Sequence, residues 1–186
     1  MHKKIGMIPA AGRGSRMLSL TDKHPKAMLP FNNKPIIGHL LTWFIENNFD
    51  EVIIIVGYQY EKIIDYVTNV FLNNEKIEIQ FVRQEKLNGL GEAIELGLNN
   101  IDTVNSSLLI VLGDIILQDK LNFSFNEDFL LVNEIPDNDF SRWCLAEVDE
   151  DGRLKKLYDK PKEKPKTNLN LCGVYNFIIS YFDPLS

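Results

Sequence analysis

The sequence predicts an α/β fold, a doubly wound, mostly parallel mixed sheet flanked by helices. Over the first two thirds of the chain, short apolar segments alternate with segments whose apolar residues repeat every 3.6 positions. Two of the apolar segments, 52–56 and 108–112, are apolar on both strand faces, which is typical of central parallel strands covered by helices. A glycine-containing turn follows the first apolar segment. Because ligands of such sheets bind beyond the carboxyl ends of the strands, the sequence predicts a site there.

The elements of this sheet follow one another in the order βαβαβαβ. Their predicted positions are, in turn, a strand at 5–9, a helix at 36–45, a strand at 51–57, a helix at 63–71, a strand at 77–82, a helix at 90–101 and a strand at 108–112. Pro35 suits the first turn of the first helix. Because parallel strands joined by right-handed crossovers end at the same edge of a sheet, segment 10–16, Gln84 and Gly113-Asp114 are expected along the edge formed by the carboxyl ends of the strands.

The last third of the chain has a different pattern. Four strand-like segments, at 129–135, 142–148, 153–158 and 171–179, follow one another without helical periodicity between them. We expect them to add antiparallel strands to the same domain. A length of 186 residues also favours a single domain.

Composition and charge narrow the class of protein. Hydrophobic residues make up 45% of the chain and charged residues 25%, which is ordinary for a globular protein. The net charge of −6 argues against the broad basic surface of a nucleic-acid-binding protein. No apolar run is long enough to span a membrane. Pro9 and Gly12 also interrupt the N-terminal segment before it can form the apolar core of a signal peptide. We therefore expect a cytoplasmic protein with no nucleic-acid or membrane partner. The spacing of the two cysteines, Cys144 and Cys172, matches no zinc-binding pattern.

The segment that follows the first strand carries the strongest chemical signal. Gly12 and Gly14 allow a tight turn that aims backbone N–H groups at an anion. Ser15 adds a hydroxyl donor and Arg16 a fork of charged donors, so the loop is typical of phosphate binding. It is not a dinucleotide-binding fingerprint, because Met17 stands where glycine is required, and it lacks the Gly-Lys-Ser/Thr of a Walker loop.

A G-x-G-S-R loop at 12–16 is followed by P-K-A-M-L-P at 25–30. Together they resemble the signature of sugar-1-phosphate nucleotidylyltransferases, and the run 16–30 is most similar to the thymidylyl and uridylyl branches of that family. Further motifs follow in the family's order, namely Gln84 with Gly89-Leu90-Gly91-Glu92-Ala93, Gly113-Asp114, Glu147-Val148-Asp149 with Asp151-Gly152-Arg153, Asp159-Lys160-Pro161 and Gly173-Val174-Tyr175. The resemblance extends from Ile5 to about Ile179.

The resemblance implies the Rossmann-like fold of nucleotide-diphospho-sugar transferases and a task for each half of one nucleotidyltransferase domain. Residues 1–115 would form the nucleotide-binding half and residues 116–186 the sugar-phosphate-binding half. The nucleotide would be bound by Ala10, Ala11, Gly12, Gly14, Ser15, Arg16, Gln84 and Gly89. Gln84 offers a donor and an acceptor to a pyrimidine edge, and Gly89 would leave room for the base.

By the same resemblance, catalysis would depend on Arg16, Lys26 and Asp114. Nucleotidyl transfer needs positive charge around the α-phosphorus and a nucleophile held in line, with little proton chemistry. Arg16 would hold the triphosphate, and Lys26 would contact the α-phosphate and the incoming sugar phosphate. Asp114 emerges from the end of a predicted central strand and would ligate Mg²⁺, the implied cofactor, together with phosphate oxygens.

The sugar phosphate would contact Lys26, Cys144, Asp159 and Lys160. Lys160 would bind the phosphate, and Asp159 would accept a hydrogen bond from a sugar hydroxyl. Asp159 stands where the family usually has glutamate, which is one methylene longer, and Cys144 stands where many members have glycine. These two departures leave the identity of the sugar open.

The predicted reaction transfers a nucleotidyl group from a nucleoside triphosphate, with dTTP or UTP favoured, to a sugar 1-phosphate and releases pyrophosphate. Two alternatives stay open. One is a cytidylyltransferase that acts on a sugar phosphate or on a non-sugar phosphate such as phosphocholine. The other is a nucleotide-sugar-binding module with impaired catalysis.

Members of the family continue beyond the last predicted strand and supply a second metal-binding aspartate. We therefore expect a domain shortened at its C terminus, in which segment 181–185 begins a further element. If the chain is instead complete, it would hold its metal with Asp114 alone. A homo-oligomer is compatible with the sequence.

Overall fold

The computed structural model describes residues 2–14, 24–71, 74–101, 106–117, 124, 126–136 and 140–179. Its strands are β1 (Lys3–Pro9), β2 (Pro30–Phe31), β3 (Lys34–Pro35), β4 (Glu51–Val56), β5 (Glu78–Arg83), β6 (Ser106–Val111), β7 (Phe129–Glu134), β8 (Cys144–Val148), β9 (Leu154–Asp159) and β10 (Leu169–Ile178). Its α-helices are α1 (Ile36–Glu46), α2 (Tyr60–Phe71) and α3 (Leu90–Leu98), and single 3-10 turns lie at Lys26–Met28 and Phe140–Arg142. The predictions made for Ser15, Arg16 and segment 181–185 lie outside the described residues.

The chain divides into two compact units. The first comprises Met1–Asp128 together with the chain from Asn176 onward, and the second comprises Phe129–Tyr175. The predicted division of tasks between residues 1–115 and 116–186 stays a prediction.

Four parallel strands form the sheet of the first unit, in the order β5-β4-β1-β6. β1 is central, because its Ile5 lies opposite Glu51 of β4 on one side and opposite Leu108 of β6 on the other. The α-helices α1, α2 and α3 lie in the connections between these strands. The predicted βαβαβαβ order is confirmed. Its parallel pairing brings the carboxyl ends of β1, β4, β5 and β6 to the same edge of the sheet.

The core of the first unit lies around β4 and β6, in which every residue is buried. The helices add the apolar faces predicted for them, and the buried members are Ile37, Leu40, Leu41 and Phe44 of α1 and Ile63, Val67 and Phe71 of α2. Val70, near the end of α2, is exposed. Each fully buried Ile, Leu or Phe side chain contributes about 1.5–3 kcal/mol, so these faces fix the helices against the sheet.

α3 differs from its prediction in length and in the face that it buries. The periodicity of Leu90, Ile94 and Leu98 predicted a helix that reached residue 101, whereas α3 ends at Leu98 and buries Ala93 and Gly97 instead. A Cβ atom at Gly97 would lie 2.4 Å from Met7 Cε, so a larger residue there would require the buried Met7 side chain to shift. Small residues therefore define the packed face of α3.

The second unit contains antiparallel strands, as predicted for the last third of the chain. β8 pairs with β9 and with β10 in antiparallel fashion, and β7 also pairs with β10. Cys144 lies opposite Asp159 in the β8–β9 ladder. The mixed α/β class with C-terminal antiparallel strands is thus confirmed.

No helix within the described ranges combines the length and the apolar character that crossing a bilayer requires.

Candidate functional site

A cavity of about 640 Å³ lies at the carboxyl ends of β1, β5 and β6 in the first unit. Its volume is within the range of small-molecule and cofactor sites. Four separate segments line it, and their residues are Pro9, Ala10, Ala11, Gly12, Arg13, Gly14, Lys26, Ala27, Gln84, Leu87, Gly89, Leu90, Ala93, Leu112, Gly113 and Asp114. All predicted nucleotide-site residues within the described ranges are in this set.

The loop after β1 is held by backbone hydrogen bonds to the end of β4. The Ala10 N–H donates to the Ile55 carbonyl over 2.8 Å, and the Tyr58 N–H donates to the Ala11 carbonyl over 2.9 Å. Gly14 adopts a positive φ of 69°, a conformation that favours glycine, and a Cβ atom at Gly12 would meet no atom within 4 Å. The open space at Gly12 leaves the backbone accessible to a ligand, as phosphate binding requires.

Lys26 begins the 3-10 turn of the P-K-A-M-L-P segment. The next residue, Ala27, is 2% exposed and anchors the turn, and the Leu29 N–H donates to the Lys26 carbonyl over 3.1 Å. The short β2–β3 hairpin follows and leads into α1. The turn therefore fixes the backbone of Lys26 at the cavity wall, which its side chain lines.

Asp114 emerges directly beyond β6 and forms an ion pair with Lys26. The Gly113 N–H donates to the Pro9 carbonyl over 3.1 Å, which ties the end of β6 to the end of β1. The Lys26 ammonium contacts Asp114 Oδ2, and the two side chains are 36% and 32% exposed. Both charged groups remain accessible to solvent at the cavity wall. Breaking their ion pair so that each can bind a ligand therefore costs little free energy.

The donor set around Asp114 suits Mg²⁺ bound together with substrate phosphates. Within the described residues, no group of three or more His, Cys, Asp or Glu side chains could enclose a metal ion. Mg²⁺ is usually bound by one or two carboxylates with phosphate oxygens and water making up the rest, so a single accessible carboxylate fits it.

Gln84 and Gly89 lie at another part of the cavity wall. Gln84 follows β5, is 4% exposed, and its N–H donates to the Val56 carbonyl over 2.8 Å. Its side-chain Nε2 donates to Glu92 Oε2 over 2.6 Å and to the Gly89 carbonyl over 3.2 Å. Gly89 has φ 104° and ψ −173°, a conformation that is essentially restricted to glycine, and begins α3.

The sequence did not single out Glu92 for a role of its own. The hydrogen bond from Gln84 lowers the pKa of the Glu92 carboxyl, and the side-chain hydrogen bond from Asn88 adds to this effect. Glu92 is therefore ionised at neutral pH. In the sequence, Glu92 could have been noticed only by its place in the G-L-G-E-A motif. That motif shows that a carboxylate lies near the site, but it does not show which group the carboxylate contacts.

Two apolar cavity residues were also missed. Leu87 is 51% exposed and Leu90 is 39% exposed, and both line the cavity beside Gly89. Exposed leucines at a cavity can pack on the flat face of a bound base. Their exposure depends on tertiary structure, so the apolar pattern alone could not distinguish them from core residues.

Three predicted sugar-site residues lie together in the second unit. Cys144 is opposite Asp159 in the β8–β9 ladder, and the ammonium of the next residue, Lys160, is 3.5 Å from Asp159 Oδ1. The Lys160 N–H donates to the Trp143 carbonyl over 2.9 Å, with Lys160 at φ 45°. Burial raises the pKa of the Cys144 thiol, and the charge of Asp159 raises it further, so the thiol is neutral at neutral pH.

Comparison with known proteins adds a family and relatives. Residues 5–186 match the sequence profile of a family described as nucleotidyl transferase. The chain is similar to the bifunctional protein GlmU of Methanococcus maripaludis, at 36% identity over 177 residues that cover 95% of this chain and 40% of the relative. It is also similar to the UTP–glucose-1-phosphate uridylyltransferase AglF of Haloferax volcanii, at 26% identity over 188 residues that cover 95% of this chain and 72% of the relative.

The fold is likewise similar to a solved structure, that of a UDP-glucose pyrophosphorylase complexed with UDP-glucose. The TM-score is 0.79 at 26% sequence identity, and the match covers 98% of this chain and 78% of the solved one. The chain thus spans 40% of the length of the GlmU relative and about three quarters of the lengths of the other two.

Proposed function

Because this chain belongs to the nucleotidyl transferase family, we propose that it transfers a nucleotidyl group from UTP or dTTP to a sugar 1-phosphate. The observation that carries the proposal is the cavity of the first unit, which is lined by Lys26 and Asp114 as well as by Gln84 and Gly89. Charged groups suited to phosphates and a buried amide suited to a base then share one site. The names of the relatives favour UTP and glucose 1-phosphate.

In the proposed reaction, a phosphate oxygen of the sugar 1-phosphate attacks the α-phosphorus of the nucleotide in line with the leaving group. A new P–O bond forms, the bond between the α-phosphorus and the bridging oxygen to the β-phosphorus breaks, and pyrophosphate leaves. Lys26 places an ammonium where the α-phosphate and the incoming phosphate meet, so it offsets charge that builds up in the transition state. The loop at 10–14 supplies backbone donors to the triphosphate.

Asp114 would hold Mg²⁺ jointly with phosphate oxygens of the nucleotide. When bound, the ion neutralises phosphate charge and orients the α-phosphate for attack. With substrate present, Lys26 leaves its ion pair with Asp114 and contacts phosphate instead. Because a partly exposed ion pair contributes little free energy, this change of partner costs little.

We assign the sugar phosphate to Cys144, Asp159 and Lys160 of the second unit. Lys160 supplies a cation for the phosphate and Asp159 an acceptor for a sugar hydroxyl. The neutral Cys144 thiol offers a small, weakly polar surface rather than a nucleophile.

The test is a screen of pyrophosphate release that crosses UTP, dTTP, CTP, ATP and GTP with several hexose 1-phosphates, with and without Mg²⁺. We expect release that requires Mg²⁺ and one of the uracil or thymine nucleotides. Asp114→Asn should abolish the dependence on Mg²⁺ together with most of the turnover.

Three outcomes would contradict the proposal. Absence of release with every pair of substrates would exclude the transferase. A preference for CTP with an alcohol phosphate such as phosphocholine would indicate a cytidylyltransferase. Tight binding of nucleotide sugars without turnover would indicate a binding module.

A further inference from the structure

Glu92 is not part of the cavity wall, but it determines how a residue of that wall is oriented. Gln84 Nε2 lies 2.6 Å from Glu92 Oε2 and 3.2 Å from the Gly89 carbonyl oxygen. Both neighbours are oxygens that only accept hydrogen bonds, since one is a backbone carbonyl and the other an ionised carboxylate. The Gln84 atom between them must therefore be the amide nitrogen, and the opposite flip would place an oxygen against two oxygens.

Glu92 is itself fixed. The Asn88 side-chain Nδ2 donates to Glu92 Oε1 over 2.9 Å, and the Asn88 N–H lies 3.4 Å from Oε2. Both carboxylate oxygens are therefore engaged, and the side chain stands in the first turn of α3, where the helix dipole favours negative charge. A carboxylate held in this way keeps the Gln84 amide in one orientation.

The consequence concerns the other end of that amide. Gln84 lines the cavity, and no hydrogen bond from a described residue reaches its carbonyl oxygen Oε1. An acceptor offered to a base complements a ring nitrogen that carries hydrogen, as N3 does in uracil and thymine. In cytosine the same ring nitrogen is an acceptor, and the two acceptors would face each other without a proton between them.

We propose that Glu92 is a positioning residue that sets the base preference of this site, because it fixes Gln84 with the acceptor oxygen available to the base. The proposal rests on the proposed function, since it takes the nucleotide to occupy this cavity. Glu92 acts through Gln84 and touches no substrate. It thereby favours bases with a ring N–H and disfavours cytosine.

The test compares Glu92→Gln with Glu95→Gln, measured as the ratio of kcat/KM for UTP to that for CTP and as the ratio of their dissociation constants by calorimetry. The amide in Glu92→Gln can donate as well as accept, so only the more distant Gly89 carbonyl still opposes the other flip of Gln84. Glu95 is exposed on the same helix and its substitution removes the same charge. We expect the UTP-to-CTP ratio to fall roughly tenfold in Glu92→Gln, the equivalent of one hydrogen bond, and to stay within twofold of wild type in Glu95→Gln.

A general loss of packing would weaken both nucleotides equally and leave the ratio unchanged. Should Glu92→Gln fail to fold, Asn88→Ala loosens Glu92 without touching its charge and should lower the ratio by a smaller factor. An unchanged ratio in these variants would overturn the role of Glu92 while leaving the transferase intact. A wild-type preference for CTP would contradict both the role of Glu92 and the proposed choice of nucleotide. Failure of the wild-type chain to bind any nucleotide would instead refute the proposed function.

Discussion

Two lysine–carboxylate pairs lie at opposite ends of the same parallel sheet. At the amino ends of the strands, Lys3 of β1 contacts Glu51 of β4 with 2.5 Å between Nζ and Oε2, and the Glu51 side chain is 2% exposed. At the carboxyl ends, Lys26 contacts Asp114, and each side chain is about one third exposed. The chemistry of the two pairs is the same, but their burial is not.

The difference in burial distinguishes a structural pair from the pair to which we assign a function. Glu51 has left water almost completely, and its Oε1 has no hydrogen-bond partner among the described residues, so it depends on Lys3 for compensation. Asp114 and Lys26 keep contact with solvent and can change partners. Loss of the first pair should therefore affect stability, and loss of the second should affect activity.

The largest expected effect is on catalysis. Lys26→Ala should lower kcat/KM by roughly 100-fold to 1,000-fold, the usual cost of removing one preorganised charge-stabilising group. The melting temperature should change little, since a pair this exposed contributes at most about 1 kcal/mol. Pyrophosphate release and thermal unfolding measure the two quantities.

Lys76→Ala, which removes an exposed lysine from a turn remote from the cavity lining, is the matched control and should behave as wild type. A Lys26→Ala protein with undiminished turnover, or one that is strongly destabilised, would erase the distinction between the two ends of the sheet.

The second effect is on stability. Lys3→Met should lower the free energy of unfolding by about 2 kcal/mol, which is less than the roughly 3–5 kcal/mol of a fully buried pair because Lys3 itself is 37% exposed. Denaturant unfolding measures this change. The double variant Lys3→Met with Glu51→Met replaces both charges by apolar groups of similar size and should recover most of the loss.

The same pair predicts a pH dependence. The hydrogen bond to Glu51 raises the pKa of Lys3 above its ordinary value of 10.5, and the nearby negative charges of Glu51, Glu78 and Asp50 act in the same direction. The contribution of Lys3 is thus fully present below pH 10.5 and is lost as the pH rises through the higher pKa of the folded state. Above pH 10.5, the free energy of unfolding should fall more steeply with pH for the wild type than for Lys3→Met. Parallel falls in the two proteins would contradict a stabilising role of the Lys3 charge.

The smallest effect concerns a more exposed pair, Lys160 with Asp159 in the second unit, whose side chains are 47% and 70% exposed. Lys160→Asn removes the charge and keeps a residue that tolerates the positive φ found there. We expect the KM for the sugar phosphate to rise about tenfold, the cost of one charge-assisted contact, with unchanged KM for the nucleotide and unchanged stability.

Lys162→Asn, another exposed lysine of the same stretch, should leave both KM values as they are. If Lys162→Asn raised the KM for the sugar phosphate as much as Lys160→Asn does, the stretch would act only through its general charge, and the specific assignment of Lys160 would be wrong.

Most of the fold could be predicted because the buried strands carry their signal locally. β4 and β6 are apolar on both faces and buried along their whole length, so pattern and burial coincide. α3 was less predictable, since periodicity gives weight to large apolar residues, whereas the helix packs through Ala93 and Gly97. Close approach of a helix to a sheet selects small residues, which contribute little to an apolar pattern.

The candidate site could be predicted where a motif places chemical groups in sequence. Gln84, Gly89, Lys26 and Asp114 were all expected, and the structure brings them to one cavity. The hydrogen bond from Gln84 to Glu92 was not expected, because it depends on how the turn between β5 and α3 folds back. A sequence shows that a carboxylate is present but not from which atom it accepts a hydrogen bond.

The order of strands and helices and the family motifs can be recognised in the amino-acid sequence, as can the residue types that we propose for phosphates and a base. Which charges meet, such as Lys26 with Asp114 across 88 positions of chain, and how deeply each pair is buried become visible only in the folded chain. Local patterns fix secondary structure, whereas the partner and the solvent exposure of a charged group depend on strand order and register, which bring distant segments together.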